Sequence, residues 1–313
     1  MRIVYTVVFA ISALLIVLLI ANYKNKISIT YIILYASLAI SNFGSMQMAS
    51  ANNVETAVFA NQTNYLGACF SPFLLVMCIA DLCKFKIGKV YQAVFAIYAT
   101  ILFTFVSTVG VWPLYYKSVS LEKAYGISIL VKEYGPFHLM YPIYLVIMCA
   151  GAIDIIVLSI KKSKDVSYNT CFLLLACMLL VIGIYVVEKA FRIKLDLLPF
   201  AYIFAQIICM YLLKRVSSYE LSAISYSAMM GSHRQGFILY NNKGKYLGSD
   251  EIAKKWFPEL IELRVDSDIK KEGTPLFNQI GKWMQEESNN EVAYIEKDIR
   301  KRKQIKLNAE CFF

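Results

Sequence analysis

The sequence predicts an all-α seven-helix transmembrane bundle followed by a small α+β domain, and three observations carry that expectation. Seven charge-free apolar stretches follow one another as far as Lys214; 58% of the residues are hydrophobic, with a mean hydropathy of +0.53; and the composition turns ordinary and polar after that lysine. Between charged residues the stretches run 3–23, 27–54, 56–80, 90–116, 134–153, 166–187 and 197–213. About 20 apolar residues cross a hydrocarbon core of ~30 Å as a helix, which satisfies its own backbone in lipid. An odd number of crossings puts the two chain ends on opposite sides of the bilayer, the layout of a receptor.

Each stretch ends on charge, and the charges orient the chain. Lys24 and Lys26 follow the first stretch, Lys84, Lys86 and Lys89 the third, Lys161, Lys162 and Lys164 the fifth, and Lys214 and Arg215 the seventh. The other side carries Arg2, then Lys117, Lys123 and Lys132 in the long fourth loop, and Lys189, Arg192 and Lys194, most of them beside Glu122, Glu133, Glu188 or Asp196. The short loops richer in lysine face the cytoplasm, which predicts an external amino terminus and a cytoplasmic carboxyl terminus. The first stretch lacks a basic leader and a small-x-small cleavage site, so it reads as a span and not as a signal peptide.

The net charge of +10 follows the same division. Residues 1–215 hold 17 basic and 8 acidic side chains, and residues 216–313 hold 15 and 14. The basic balance therefore marks the membrane half and its lipid bilayer, with no nucleic-acid partner implied. Seven of the eight cysteines, Cys69, Cys78, Cys83, Cys149, Cys171, Cys177 and Cys209, fall in or at the ends of the apolar stretches, and none forms a CxxC pair. They read as small buried hydrophobes, with no metal site.

Polar groups inside a bilayer are costly and therefore candidate sites. Asp154 lies close to the cytoplasmic end of the fifth stretch, where it reaches the interface, pairs with a loop lysine, or serves coupling. A second set falls in the outer half of the spans: Asn42, Tyr65, Trp112, His138, Tyr141, Glu188, Tyr202 and Gln206, with Gln47, Asn64, Ser107 and Tyr185 near them. These either line a cavity for a small ligand or form an interfacial aromatic belt with ordinary interhelical hydrogen bonds. A retinal protein needs a mid-membrane lysine, and the seventh stretch has none between Asp196 and Lys214. A small transporter is a third reading, disfavoured because no internal repeat accompanies Asp154. In the fourth loop, Tyr115–Ser118 and Ile127–Val131 are expected to pair as a hairpin, turning near Lys123–Gly126 and covering the outer pocket.

Residues 214–231 continue the seventh helix, with Val216, Tyr219, Ala223, Ile224 and Met230 at roughly helical spacing. Segment 216–232 is thus a signalling-helix linker, expected to pair with its twin in a homodimer. In 233–313, Phe237–Tyr240 and the pair Tyr246 and Leu247 read as strands, and Asp250–Trp256 and Pro275–Glu286 as helices. Val292–Ile299 and Gln304–Phe312 then read as a long hairpin.

That order, with GFILYNNKGKYLGSDEIAKKW at its start, resembles a PAS domain lacking its last strand. Residues 1–215 resemble the seven-helix sensor region of bacterial histidine kinases and cyclic-di-GMP signalling proteins. NYLGACFSPFLLVMCIADLC, KEYGPFHLMYPIYL and LLPFAYIFAQIICMYLLKR carry this likeness. The resemblance implies a membrane receptor that relays an unidentified ligand through a PAS-like domain to an output module. The chain shows no GGDEF or HD-GYP stretch and no ATP-binding glycine box, and His233 reads as a linker residue, so the chain is not expected to be an enzyme. No cofactor is expected either: no later histidine is available for haem, and Cys311 stands in a strand. The alternative is that the chain is the receptor portion of a longer kinase or cyclic-di-GMP enzyme.

Overall fold

The structure, a computed structural model, describes residues 1–23, 27–162, 166–191, 193, 195–229, 238–240, 245–249, 251–268, 295–298 and 303–307. It divides into two compact units, Met1–Leu158 with Cys171–Leu213, and Ser159–Thr170 with Lys214–Phe313.

Seven long helices follow the seven apolar stretches: α1 (Arg2–Tyr23), α2 (Ile29–Ser50), α3 (Val54–Leu82), α4 (Lys89–Ser107), α5 (Met140–Lys162), α6 (Tyr168–Ala190) and α7 (Leu198–Met229). All seven are long and apolar enough to cross a bilayer. Their outward faces carry exposed side chains such as Ile3, Val90, Val146 and Phe172. In water such a surface would be a liability, and in lipid it is the solvated face. The chain is a multi-pass membrane protein.

Short polar residues start α2 and α3. Ser28 accepts a hydrogen bond from the Thr30 amide at 3.3 Å, and Asn53 and Thr56 form a reciprocal capping box on α3. The α2–α3 contact is the tightest in the first unit. A Cβ on Gly67 would lie 2.1 Å from the Ser37 carbonyl oxygen, and one on Gly44 2.3 Å from the Asn64 amide nitrogen. Only glycine permits backbones to approach so closely, and in lipid, where helices gain nothing from excluding water, such packing holds them together. At the opposite end of α3, the Tyr31 hydroxyl donates to Asp81 Oδ2 at 2.9 Å and bonds the Cys78 carbonyl at 3.2 Å.

Between α4 and α5 the chain forms the expected hairpin, longer than the sequence suggests. Strand β1 (Tyr116–Ala124) pairs antiparallel with β2 (Ile127–Tyr134). The two-residue turn has Tyr125 at φ 54° and Gly126 at φ 74°, and two positive φ values suit the twist of a tight hairpin. The hairpin is packed onto the bundle. Leu130 is buried with Ala51 and Ala57 where α2 meets α3, and Ile127 with Tyr5 and Ala49. The Ser128 hydroxyl donates to the Ala51 carbonyl at 2.6 Å.

The second unit holds the end of α5, the start of α6 and the tail of α7. It also holds β3 (Ile238–Tyr240), β4 (Tyr246–Ser249), α8 (Glu251–Trp256), α9 (Glu259–Glu262), β5 (Ile295–Asp298) and β6 (Lys303–Leu307). Strands β3 and β4 pair antiparallel, as do β5 and β6, and the two pairs are separate sheets among the described residues. The helix expected at Pro275–Glu286 and residue His233 lie outside the described residues. One arginine ties the unit together. Arg264, 9% exposed, donates to the carbonyls of Ile160 at 2.6 Å and Val166 at 2.9 Å, and its guanidinium lies 4.2 Å from the centre of the Tyr168 ring. Two residues on, Asp266 pairs with Arg215, and its amide donates to the Tyr246 carbonyl at 2.8 Å.

Candidate functional site

A cavity of about 240 Å³ lies at the hairpin end of the bundle. Its walls come from the starts of α1, α5 and α7, the stretch of α3 from Asn61 to Ala68, the last turns of α2 and α6, the segment before α7, and β2. Consecutive residues Ile127 to Leu130 of β2 reach this wall, and beyond them only Lys132 does. Ser128 and Leu130 are buried and Lys132 half-buried, while Val131 is exposed, so the first three share the bundle-facing side.

Polar groups cluster around this cavity. Lys132 Nζ donates to Asn61 Oδ1 at 2.7 Å and sits 5.6 and 5.2 Å from the ring centres of Tyr65 and Tyr116. Asn61 itself is 2% exposed, and its Nδ2 makes no hydrogen bond. Along α2 and α3, Ser41 donates to Asn64 Oδ1 at 3.3 Å, Asn64 Nδ2 to Ser45 at 2.7 Å, and Ser45 to Asp196 Oδ2 at 2.8 Å. Asp196 Oδ1 accepts from the Leu198 amide at 3.3 Å, and the Asp196 carbonyl accepts from the Tyr5 hydroxyl at 2.9 Å. Glu188 Oε1 accepts from the Leu198 amide at 3.1 Å and from the Leu197 amide. Two carboxylates thus hold the first turn of α7, where unpaired amides and the helix dipole favour negative charge.

An aromatic cluster closes the side of the site. Tyr65 meets Tyr115 and Tyr141 edge-on, with centroids 5.7 and 5.4 Å away, and the Tyr116 hydroxyl donates to the Tyr65 hydroxyl at 3.0 Å. Burial pushes the Tyr115 and Tyr116 hydroxyls well above the usual phenol range, so both are neutral hydrogen-bonding groups at physiological pH. Among the described residues this arrangement offers hydrogen bonds, a cation, two carboxylates and aromatic edges, which is the chemistry of recognition.

Of the eight residues singled out in the sequence, Tyr65, Tyr141, Glu188 and Tyr202 line this cavity. Gln206 lies deeper, bonded to Ser12 at 2.9 Å and to the Tyr35 carbonyl at 3.4 Å. His138 stacks on Tyr134 at 3.8 Å, within the aromatic cluster but off the cavity wall. Asn42 is 1% exposed and also off that wall, and Trp112 is 60% exposed. Asp154 stands on the exposed surface of α5. Lys132, Asn61 and Asp196 were missed. The signals for two of them were present: Lys132 is in phase with Ser128 and Leu130, and Asp196 stands where an acidic residue begins a helix.

A comparison with curated proteins finds no match to this chain. The family model described as the N-terminal 7TM region of histidine kinase matches residues 4–222, which takes in all seven spans, the hairpin and the cavity. The chain therefore belongs to the family of N-terminal 7TM regions of histidine kinases.

Proposed function

We propose that the chain is a ligand receptor whose cavity at the hairpin end controls the start of α7, and through it a histidine kinase output. The observation that carries this reading is that Glu188 and Asp196 line the cavity and also hold the first turn of α7. A ligand bound beside either carboxylate, by hydrogen bond or by charge, changes how that turn is held. Helix α7 then runs without a break to Met229, thirteen residues beyond the apolar span that ends at Val216. The hairpin is the lid, since β2 supplies five of the cavity-lining residues, Ile127 to Leu130 and Lys132.

In this reading the hairpin end faces outward and the segment after Val216 is cytoplasmic, as the lysine distribution indicates. The relay is the linker helix, paired with its twin in a homodimer, and the PAS-like segment. The kinase module is carried on the same polypeptide or on a partner. An impermeant maleimide should label Ser120→Cys in intact cells, and Ser249→Cys only after permeabilisation; the reverse pattern inverts the orientation.

A thermal-shift screen of small molecules on the full chain in lipid nanodiscs tests ligand binding. Compounds that stabilise the protein should lose that effect in Lys132→Met and Tyr65→Ala. Stabilisation that survives both substitutions places binding elsewhere and overturns the reading.

A further inference from the structure

The polar chamber adjoins an apolar one. A second cavity of about 470 Å³ lies deeper in the bundle, and Tyr141, Tyr185, Leu198 and Tyr202 wall both. Their linings differ in kind. The chamber presents Lys132, Asn61, Glu188 and Asp196, whereas the deeper slot is walled by side chains such as Leu34, Leu38, Leu75, Leu145, Val181 and Ile182. The polar atoms of Gln206, which also lines the slot, are occupied: Oε1 accepts from Ser12 at 2.9 Å and Nε2 reaches the Tyr35 carbonyl at 3.4 Å. Along α5 the slot extends from Tyr141 to Ile153, about 18 Å at the rise of a helix. Val146 and Ile153 of α5 and Val186 of α6 line it and are also exposed, so its rim reaches the lipid-facing surface.

We propose that the two cavities form one binding site for a single-chain amphiphile, with a small acceptor-bearing head such as a carboxylate in the chamber and an aliphatic tail in the slot. This rests on the receptor reading and specifies its ligand. Asn61 Nδ2 is a buried chamber donor with no partner, a costly arrangement that an acceptor on the head relieves. Lys132 beside it supplies the countercharge for an anionic head, whose repulsion of the Glu188 and Asp196 carboxylates bears directly on the groups that hold the first turn of α7. The slot is apolar over most of its wall, with Ser71, Gln206 and the tyrosines as exceptions, and an apolar cavity of this size takes an apolar occupant. A wholly polar ligand leaves the slot unused, and a pure hydrocarbon leaves Asn61 unanswered.

The probe is a dodecanoic acid carrying a diazirine in its chain, photolysed with the full chain in nanodiscs and mapped by mass spectrometry. Label is expected on slot residues such as Met148 and Met178. Unlabelled dodecanoate should compete at least roughly tenfold better than butanoate, because each buried methylene adds affinity, and better than dodecane at equal content in the disc. Ala205→Phe and Val181→Phe, which fill the slot from α7 and α6, should each abolish slot labelling; their unliganded melting curves show whether they are folded. Label spread over outward residues such as Val90 and Phe172 without competition overturns the proposal, as does wild-type labelling in both folded slot variants. If butanoate stabilises the protein as well as dodecanoate does, and Lys132→Met removes that effect, the amphiphile falls while the receptor reading stands. Compounds carried by the chain in native-lipid particles then identify the source. An enriched single-chain species means a bilayer lipid, and binding only after addition means a ligand supplied from outside; either result keeps the class.

Discussion

Asp196 concentrates the chemistry of the site in one side chain. It accepts from Ser45 at 2.8 Å and from the Leu198 amide at 3.3 Å, so it joins α2 to the first turn of α7. Asp196→Ala strips a helix start of an acceptor and a favourable charge, and it leaves the buried Ser45 hydroxyl without its acceptor. The expected loss is about 1–2 kcal/mol, read as a lower melting temperature of the full chain in detergent. Asp196→Asn keeps an acceptor and loses the charge, so it should fall between alanine and wild type. Equal melting temperatures for all three would show that α7 is held by other groups. The place of Asp196 at a helix start is legible in the sequence, but its tie to α2 is not, because the partner Ser45 lies 151 residues away in the chain. Tyr65, Tyr141 and Tyr202 were legible because aromatic and hydroxyl groups at one depth of several spans converge in any closed bundle. Trp112, at a similar depth, is 60% exposed and off the cavity wall, because depth alone does not say which way a residue faces.

The elements themselves were the most legible part. Spans follow from the length of apolar runs, because lipid removes every alternative to a helix, and the hairpin follows from strand alternation either side of Tyr125 and Gly126. The length of β1 and β2 was underestimated because charged residues such as Glu122 and Glu133, both exposed, are tolerated within a strand pair. Which helices touch is not written in hydropathy, since every face of such a helix is apolar. Small residues supply that information. Gly67→Ala should destabilise the bundle by about 1–3 kcal/mol, because the added carbon meets the Ser37 backbone and cannot be relieved by a side-chain rotation. Gly151→Ala and Gly183→Ala meet nothing within 4 Å and should be neutral or mildly stabilising. Thermal unfolding of the three variants in one detergent separates them. A Gly67→Ala protein as stable as wild type would show that the α2–α3 approach is looser than described.

At the scale of the whole chain, the receptor reading needs the membrane helices to move something beyond the bundle, and the second unit contains a joint suited to that. Arg264, in the turn after α9, donates to carbonyls at the end of α5 and just before α6, while Asp266 in the same turn pairs with Arg215 near the end of the α7 span. The last carbonyls of a helix lack intrahelical donors, and a cation there is favoured by the dipole, so the Ile160 carbonyl gains both from one guanidinium. This arrangement explains why the segment after α7 belongs to the same compact unit as Ser159–Thr170, which hydropathy would have assigned to a bare loop. Arg264→Ala removes the planar fork that reaches both carbonyls. Lysine does not replace it, because a single ammonium cannot span the pair or stack on Tyr168. Hydrogen exchange on the full chain in nanodiscs should therefore speed up together in 259–268, in 159–162 and in 166–170, for both Arg264→Ala and Arg264→Lys. The amides of 198–205, at the other end of α7, should keep their wild-type rates. Faster exchange confined to 259–268 would mean that the turn rests on the helix ends without holding them, and the relay would then have to pass through α7 alone.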